Sequence, residues 1–460
     1  MQVNLPKELL TSMKGLMGFD EEAFVRVHQT SNQVTSIRLN PKKYFNPSGQ
    51  DNFPDKQAIP WSSQGFYLTG RPSFTLDPSL HAGAYYVQEA SSMFLEQALK
   101  QIIELSNPLR ILDLCAAPGG KSTLIQSIIS ENSLLVSNEV IQSRVNPLRE
   151  NLVKWGGDNV LVTNNDPTSF STIVDFFDVI VVDAPCSGSG LFRRDPSYIA
   201  GWSEDQVELC SRRQVRILAD VWPCLKYGGI LIYSTCSYSK QEDEDILDWL
   251  KDSLPMESLE LILDPSWGII GVQSEKHHAF GYRFYPDKIQ GEGFFIACFR
   301  KTTGGQFSFP KNKKQPLEHL TRTETSLLDQ WVGPSRPLSF FKHDNMVYAI
   351  PSSLLNDFIF LQSRAYLKKA GIRVGKFADK ELIPDHELAL SGICFKDIPS
   401  VELTREQALN YLRRKQINLD LESKGWMIVR YHGQNLGWVK VLDKRINNYY
   451  PKEWRITQVE

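Results

Sequence analysis

Two cysteines stand where sulfur could do chemistry: Cys186 in "DAPCSGSG" and Cys236 in "STCS", each just past an apolar run that reads as a strand. Free cysteine has a pKa near ~8.5 and attacks as the thiolate once positive charge or oriented amides favour ionisation. Asp183 lies three residues before Cys186, and Lys121 ends the segment "DLCAAPGGK", so charged partners could stand beside both thiols. Cys210, Cys224, Cys298 and Cys394 read instead as small buried hydrophobes. None of the seven cysteines forms a C-x-x-C pair, so neither a zinc site nor a disulfide framework is indicated and no metal is expected.

The stretch "DLCAAPGGKST", residues 113 to 123, ends like a phosphate-binding loop. Gly120, Lys121 and Ser122 fit the G-x-x-x-x-G-K-[ST] pattern, but Cys115 occupies the position of its first glycine. "FDVIVVDAP", residues 177 to 185, could likewise pass for the magnesium-holding strand of an NTPase. The elements around these residues decide between the readings.

From about 109 to 235, short apolar runs ("RILDLC", "LLVSNEV", "NVLVTNND", "FDVIVVDAP", "GGILIYSTC") alternate with amphipathic stretches, which predicts βαβ units and a parallel sheet. Ligands of such sheets bind beyond the carboxyl ends of the strands. Residues 113 to 121, Glu139, Asp166, residues 183 to 186 and residues 235 to 236 should therefore converge on one cleft. An acid about 20 residues past a glycine turn suits ribose hydroxyls, and Glu139 lies 19 residues beyond Gly120. An adenosyl cofactor thus fits better than a nucleoside triphosphate. Asp166, in "NNDP", could meet an adenine edge or simply cap a turn. "KYGG" at 226 to 229 is expected to close a helix, and Ser239 with Glu242 to form a capping box whose acidic run is a solvated first turn. A last strand is expected at 293 to 301.

The 460 residues allow about three domains. Residues 1 to 80 read as an N-terminal module, 81 to 302 as the catalytic domain, 303 to 325 as a linker rich in Gly, Pro and Lys, and 326 to 395 and 396 to 460 as two C-terminal units. No apolar stretch spans a bilayer and no secretory signal is evident, so a cytoplasmic protein without a membrane partner is expected. A formal net charge of −2 argues against indiscriminate coating of nucleic acid. Residues 411 to 460 nevertheless carry ten Lys/Arg against five Asp/Glu, interleaved with Trp426, Tyr431, Trp438, Tyr449, Tyr450 and Trp454. That mixture suits RNA, through phosphate contacts and stacking, or the core of a small β-rich domain.

"LDLCAAPGGKST", "NEVIQSRV", "DAPCSGSG" and "YSTCS", with the flanking "HAGAYYVQEASSM" and "RFYPDKIQGEGFFIA", resemble the NOL1/NOP2/Sun family of RNA 5-cytosine methyltransferases. "RVGKFADKELIPDHELALSG" and "GWVKVLDKRINNYYPKEWR" look like the extension of that family's RsmF branch, which modifies small-subunit ribosomal RNA and carries a PUA-like module. The resemblance implies an α/β, Rossmann-like class I methyltransferase domain with an N-terminal α+β module and a C-terminal PUA-like extension. It implies S-adenosylmethionine as cofactor, against Cys115, Ala116, Ala117, Pro118, Gly119, Gly120 and Lys121, with Glu139, Arg144, Asp166 and Asp183. By the same resemblance Cys236 attacks C6 of the base, Cys186 helps release product, Asp183 holds the base near N3 and the 4-amino group, and Lys121 orients Asp183 or keeps the thiolate ionised.

The glycine loop is then a cradle for the methionine portion rather than for phosphate. Arg193 and Arg194, in "GLFRRDP", are either phosphate contacts at the mouth or solvated loop charges. The expected partner is RNA, 16S ribosomal RNA first, met by a monomer. Transfer RNA and a ribosome-assembly role with little dependence on catalysis stay open. The segment after about 326 is expected to supply RNA affinity, so that a chain ending at residue 302 would keep its cofactor.

Overall fold

The computed structural model describes residues 4–30, 33–43, 53–310, 317–333, 336–378, 381–419 and 423–458. The alternating runs fold as β1 (Arg110–Asp113), β2 (Leu134–Asn138), β3 (Val160–Thr163), β4 (Phe177–Asp183) and β5 (Leu225–Thr235). These pair in parallel in the order β3-β2-β1-β4-β5. The helices α1 (Gly120–Ile128), α2 (Gln142–Trp155), α3 (Glu204–Val221) and α4 (Glu244–Ser253) lie between or just after them. Beyond β5 the sheet continues through β6 (Phe280–Phe284) and β7 (Phe294–Lys301), with β7 antiparallel to β5 and Phe295 opposite Thr235. Successive strand residues serve opposite faces: Ile111, Leu135, Val179 and Ile230 enter one core, Leu112, Val136, Ile180 and Leu231 the other. Burial on both faces is why these strands read as unbroken apolar runs.

The N-terminal helices Lys7–Met13 and Glu21–Gln29 place Leu9, Met13 and Phe24 against Phe192, Trp202, Tyr238 and Tyr285 of the catalytic domain. The strand Thr35–Leu39 belongs to a small antiparallel sheet, and from it Arg38 reaches into the start of α1. Its guanidinium donates to Gln88 Oε1 at 2.8 Å and Thr123 Oγ1 at 2.6 Å, and lies 4.6 Å over the Trp155 ring.

The C-terminal part is tied into the catalytic sheet. Strand β8 (Leu367–Ala370) pairs antiparallel with the open edge of β3. Phe358, Phe360 and Leu361 complete the core on that side. Within the stretch read as a linker, Phe307 packs edge-on against Phe176, at 4.9 Å between centroids, and Arg110 lies 5.1 Å over the Phe307 ring; residues 311–316 of that stretch lie outside those described. In the last unit Trp426, Tyr431, Trp438 and Tyr450 are buried among their neighbours, whereas Tyr449 and Trp454 are half-buried. Most of these rings therefore build a core.

Two local expectations fail. "KYGG" lies inside β5, because α3 has already ended at Val221, where the next turn carries Pro223 with no N–H to continue the ladder. Ser239 makes no side-chain cap, and α4 begins only at Glu244.

Candidate active site

Parallel pairing of β4 with β5 sets Asp183 opposite Ser234, so the loops that follow emerge side by side. Cys186 Sγ and Cys236 Sγ meet at 2.9 Å. Lys121, from the first turn of α1, places Nζ 2.8 Å from Asp183 Oδ2 and 5.0 Å over the Phe294 ring of β7. Asp183 Oδ1 accepts from Ser234 Oγ at 2.8 Å. The aspartate is thus held from two sides, yet each oxygen keeps a lone pair for a further donor. Burial pulls the Lys121 ammonium down, but the Asp183 carboxylate beside it prevails and its pKa is raised. The hydrogen bond to Cys236, with burial, raises the Cys186 thiol well above its ordinary range, so Cys186 stays protonated.

In the acidic run after Cys236, expected in solvent, Glu242, Asp243 and Glu244 are instead buried, and Asp245 is exposed. Glu242 accepts from Ser187 N at 2.9 Å, Ser187 Oγ at 2.5 Å, Ser237 Oγ at 2.6 Å and Gln214 Nε2 at 3.0 Å. Asp243 Oδ1 accepts from Thr235 Oγ1 at 2.7 Å, and its other oxygen lies 3.1 Å from Arg283. Glu244 completes the set by accepting from Arg283 Nε at 2.6 Å. The sequence signal for these acids was their spacing of six to eight residues from Cys236, which local capping chemistry explained equally well.

The loop read as a cofactor cradle is held along its middle. Ala116 N donates to Asn138 O at 2.8 Å, Arg144 Nη2 donates to Ala117 O at 2.6 Å, and Asn151 Nδ2 donates to Pro118 O at 2.9 Å. Gly119, at φ +114°, turns the chain into α1 in a conformation that disfavours side chains. The first N–H groups of α1 precede its first internal bond, from Thr123 N to Gly119 O, and so face outward as donors.

Asp113, at the end of β1, accepts from Ser122 Oγ at 2.6 Å through one oxygen, while its buried Oδ1 lacks a partner among the described residues. Burial pushes its carboxyl up to about 7. Cys115 is also pushed up, by burial, and so behaves as part of the wall rather than as a thiolate. The amide donors at the start of α1 suit the carboxylate of an amino-acid moiety, and the orphaned Asp113 oxygen suits its ammonium group.

Glu139, at the end of β2, is buried; Oε1 accepts from Ile141 N at 2.8 Å and Oε2 lies 3.5 Å from Arg144. Asp166 caps the short turn after β3 by accepting from Thr168 N at 3.1 Å, and its second oxygen lies 3.8 Å from Arg216. Its capping role is therefore real, with the carboxylate still partly exposed.

The reading of Arg193 as a phosphate contact is corrected. Its side chain is buried, 3.8 Å from Glu292 Oε2 and donating to Gly291 O at 3.4 Å. Arg194, the next residue, is exposed.

Residues 100–300 match the family model for 16S rRNA methyltransferase RsmB/F, residues 5–90 that for the N-terminal domain of 16S rRNA methyltransferase RsmF, and residues 398–456 that for the methyltransferase RsmF PUA domain. The chain belongs to the RsmB/F methyltransferase family. Curated relatives include "Ribosomal RNA small subunit methyltransferase F" of Shewanella piezotolerans, 28% identical over 92% of this chain and 90% of that protein. The protein of the same name in Citrobacter koseri is 27% identical over 98% and 96%. Among solved structures, a methyltransferase homolog protein from Pyrococcus horikoshii is 27% identical, with TM-score 0.51, over 65% of this chain and 100% of that one. NSun6 from the same organism with SFG, an S-adenosylmethionine analogue, shares the fold at TM-score 0.53 and 19% identity over 66% of this chain and all of that one.

The fold is that of an S-adenosylmethionine-dependent RsmB/F-family methyltransferase. This chain is such an enzyme. Among the described residues, no helix is long and apolar enough to cross a membrane.

Proposed function

We propose that this enzyme methylates C5 of a cytosine in 16S ribosomal RNA, with Cys236 as nucleophile and Cys186 as the thiol that assists release. The observation that carries this reading is the meeting of two thiols at 2.9 Å beside a Lys121–Asp183 pair, at the ends of neighbouring strands. C5 of cytosine is a poor nucleophile, and a thiolate that adds to C6 makes C5 electron-rich. S-adenosylmethionine, when bound, supplies the electrophilic methyl group. The amides at the start of α1, Asp113 and Glu139 would hold it, with Arg144 keeping the loop in place.

Asp183, steadied by Lys121 and Ser234, retains lone pairs for the 4-amino group of the base and stabilises the charge that develops on addition. Cys186, whose thiol pKa is raised by its hydrogen bond to Cys236 and by burial, is placed as the protonated neighbour of Cys236, and the resemblance of "YSTCS" to the family motif gives the attack to Cys236. After methyl uptake a base, such as a water molecule, takes the C5 proton, the C–H electron pair forms the C5=C6 bond, and the Cys236 sulfur leaves C6 as thiolate, restoring the ring. A thiol can approach C6 only over the ring face, so the target base is presented unpaired or flipped. Arg414, Lys415, Arg445 and Lys452 line a groove of about 760 Å³ in the PUA-like unit, and this cationic surface supports an RNA partner.

Two variants test the roles. Cys236→Ala is expected to abolish methylation and form no covalent RNA adduct. Cys186→Ala is expected to add and methylate but stall at elimination, leaving an adduct on a denaturing gel. The opposite pattern would exchange the roles of the two thiols. Bisulfite mapping of 16S and transfer RNA, with and without the gene, tests the substrate: a lost site in transfer RNA alone would overturn the ribosomal assignment.

A further inference from the structure

The two thiols belong to different loops, one after β4 and one after β5, and a disulfide does not hold them. Their register must be fixed by something that grips both loops. The residue after Cys186 is Ser187 and the residue after Cys236 is Ser237, and both hydroxyls donate to the same carboxylate oxygen, Glu242 Oε2, at 2.5 and 2.6 Å. The other oxygen accepts from Ser187 N at 2.9 Å and from Gln214 Nε2 at 3.0 Å. We propose that Glu242 is a positioning residue for the methyl-transfer reaction, a buried carboxylate that ties together the residues following Cys186 and Cys236 and so sets the thiol-to-thiol distance.

Several features favour this role over a generic buried acid. Among the described residues Glu242 has no cation as a hydrogen-bond partner; its four donors there are neutral, and three of them belong to residues adjacent to the reactive cysteines. Arg283, the nearby cation, is engaged by Asp243 and Glu244. Burial raises the Glu242 carboxyl against the opposing pull of its donors Ser187, Ser237 and Gln214, so keeping the charged form here costs stability that a neutral anchor would not. What it gains is geometry: charge-assisted hydrogen bonds are shorter and stronger than neutral ones. Asp243 reinforces the arrangement from the other side by accepting from Thr235 Oγ1, so Cys236 is flanked by two residues that are both held by this acidic run. Tyr233 Oη donates to Glu242 O at 2.6 Å and fixes the backbone of the run itself.

The proposal rests on the assignment of Cys186 and Cys236 as the reacting groups, and its test reads geometry and chemistry separately. Glu242→Gln, Glu242→Ala and the double variant Ser187→Ala/Ser237→Ala are compared with the wild type in the full-length protein. Copper(II)-phenanthroline in air converts the two thiols into a disulfide with release of two protons, the two electrons passing to two copper(II) centres that oxygen reoxidises, and mass spectrometry follows its rate. Single-turnover methylation, S-adenosylmethionine affinity and melting temperature are measured on the same samples.

The expected result is a tenfold or greater slowing of both cross-linking and methyl transfer in Glu242→Ala and in the double serine variant, with cofactor affinity within twofold of wild type. Partial rescue is expected in Glu242→Gln, which can still accept from Ser187 N. The double serine variant keeps the test valid if Glu242→Ala does not fold. Wild-type cross-linking in folded Glu242→Ala or in the double serine variant would overturn the proposal. Slowed cross-linking in an enzyme whose methylation does not need Cys236 would overturn the proposed catalytic roles and leave Glu242 as the tie between the loops.

Discussion

Arg193 and Arg194 are neighbours in sequence and opposites in environment. Arg193 is buried against Glu292, whereas Arg194 is exposed near the thiol loops. Burial pushes the Glu292 carboxyl up to about 7, with Arg193 opposing that rise. Removing Arg193 should let it rise further. In the wild type the native state binds more protons than the unfolded chain from about pH 4.5 to 7, so this group's contribution falls as pH rises through that window. In Arg193→Ala the fall continues to higher pH. The variant's deficit in melting temperature should therefore be larger at pH 8 than at pH 6, as a thermal scan at the two pH values would read; an equal deficit would remove Glu292 from the account. Arg194→Ala should instead leave stability unchanged and weaken RNA binding with a salt slope reduced by about 1. At this scale the sequence was legible where a residue's position follows from the strand it succeeds: Cys186, Cys236, Asp183 and Lys121 come together as the strand order requires. It misled where a role depends on a distant partner, as for Arg193 and for Glu242, whose surroundings are built by residues 187 and 214.

The catalytic elements were legible because burial on both faces writes each parallel strand as an apolar run. Ends were harder to read. Glycines at 228 and 229 suggested a helix terminus, yet Pro223 had already stopped α3 and the glycines entered β5. "DAPCSGSG" shows a glycine whose reason lies in a neighbouring element. Gly190 N donates to Cys236 O at 2.8 Å, and a Cβ at Gly190 would meet that carbonyl oxygen at 2.8 Å and Gly293 O at 2.6 Å. Gly293 in turn leaves no room for a side chain beside Tyr238 Oη. The loop after β4, the loop after β5 and the segment before β7 thus pass one another as bare backbone. Such a crossing is invisible in sequence, since each glycine alone reads as an ordinary turn.

At the scale of the whole molecule, the chain after residue 302 does more than extend an RNA-binding surface. Strand β8 closes the β3 edge with Leu367 opposite Thr163 and Ala370 opposite Leu161. Just beyond, Asn164 N donates to Tyr366 O at 3.0 Å and Tyr366 N donates to Asn165 Oδ1 at 2.9 Å, so this segment braces the loop that carries Asp166. Phe176 stacks on Phe360 at 5.0 Å, and Arg110, the first residue of β1, lies 2.9 Å from Asp357. A chain ending at residue 302 would leave an unpaired strand edge, strip an aromatic face from the core and release the support of the cofactor side of the cleft. The apparent independence of a catalytic domain ending there, which the Gly, Pro and Lys-rich stretch suggests, therefore gives way to a coupled fold. Such a truncated chain should melt at a markedly lower temperature, bind a dye specific for exposed apolar surface, and bind S-adenosylmethionine at least tenfold more weakly than the full chain. Calorimetric titration decides the point: full-length affinity in the truncated chain would mean that β8 caps the sheet without supporting the site. Restoring residues 303–395, which return β8 and its packing, should recover cofactor affinity before RNA affinity, because the groove lined by Arg414, Lys415, Arg445 and Lys452 lies beyond them.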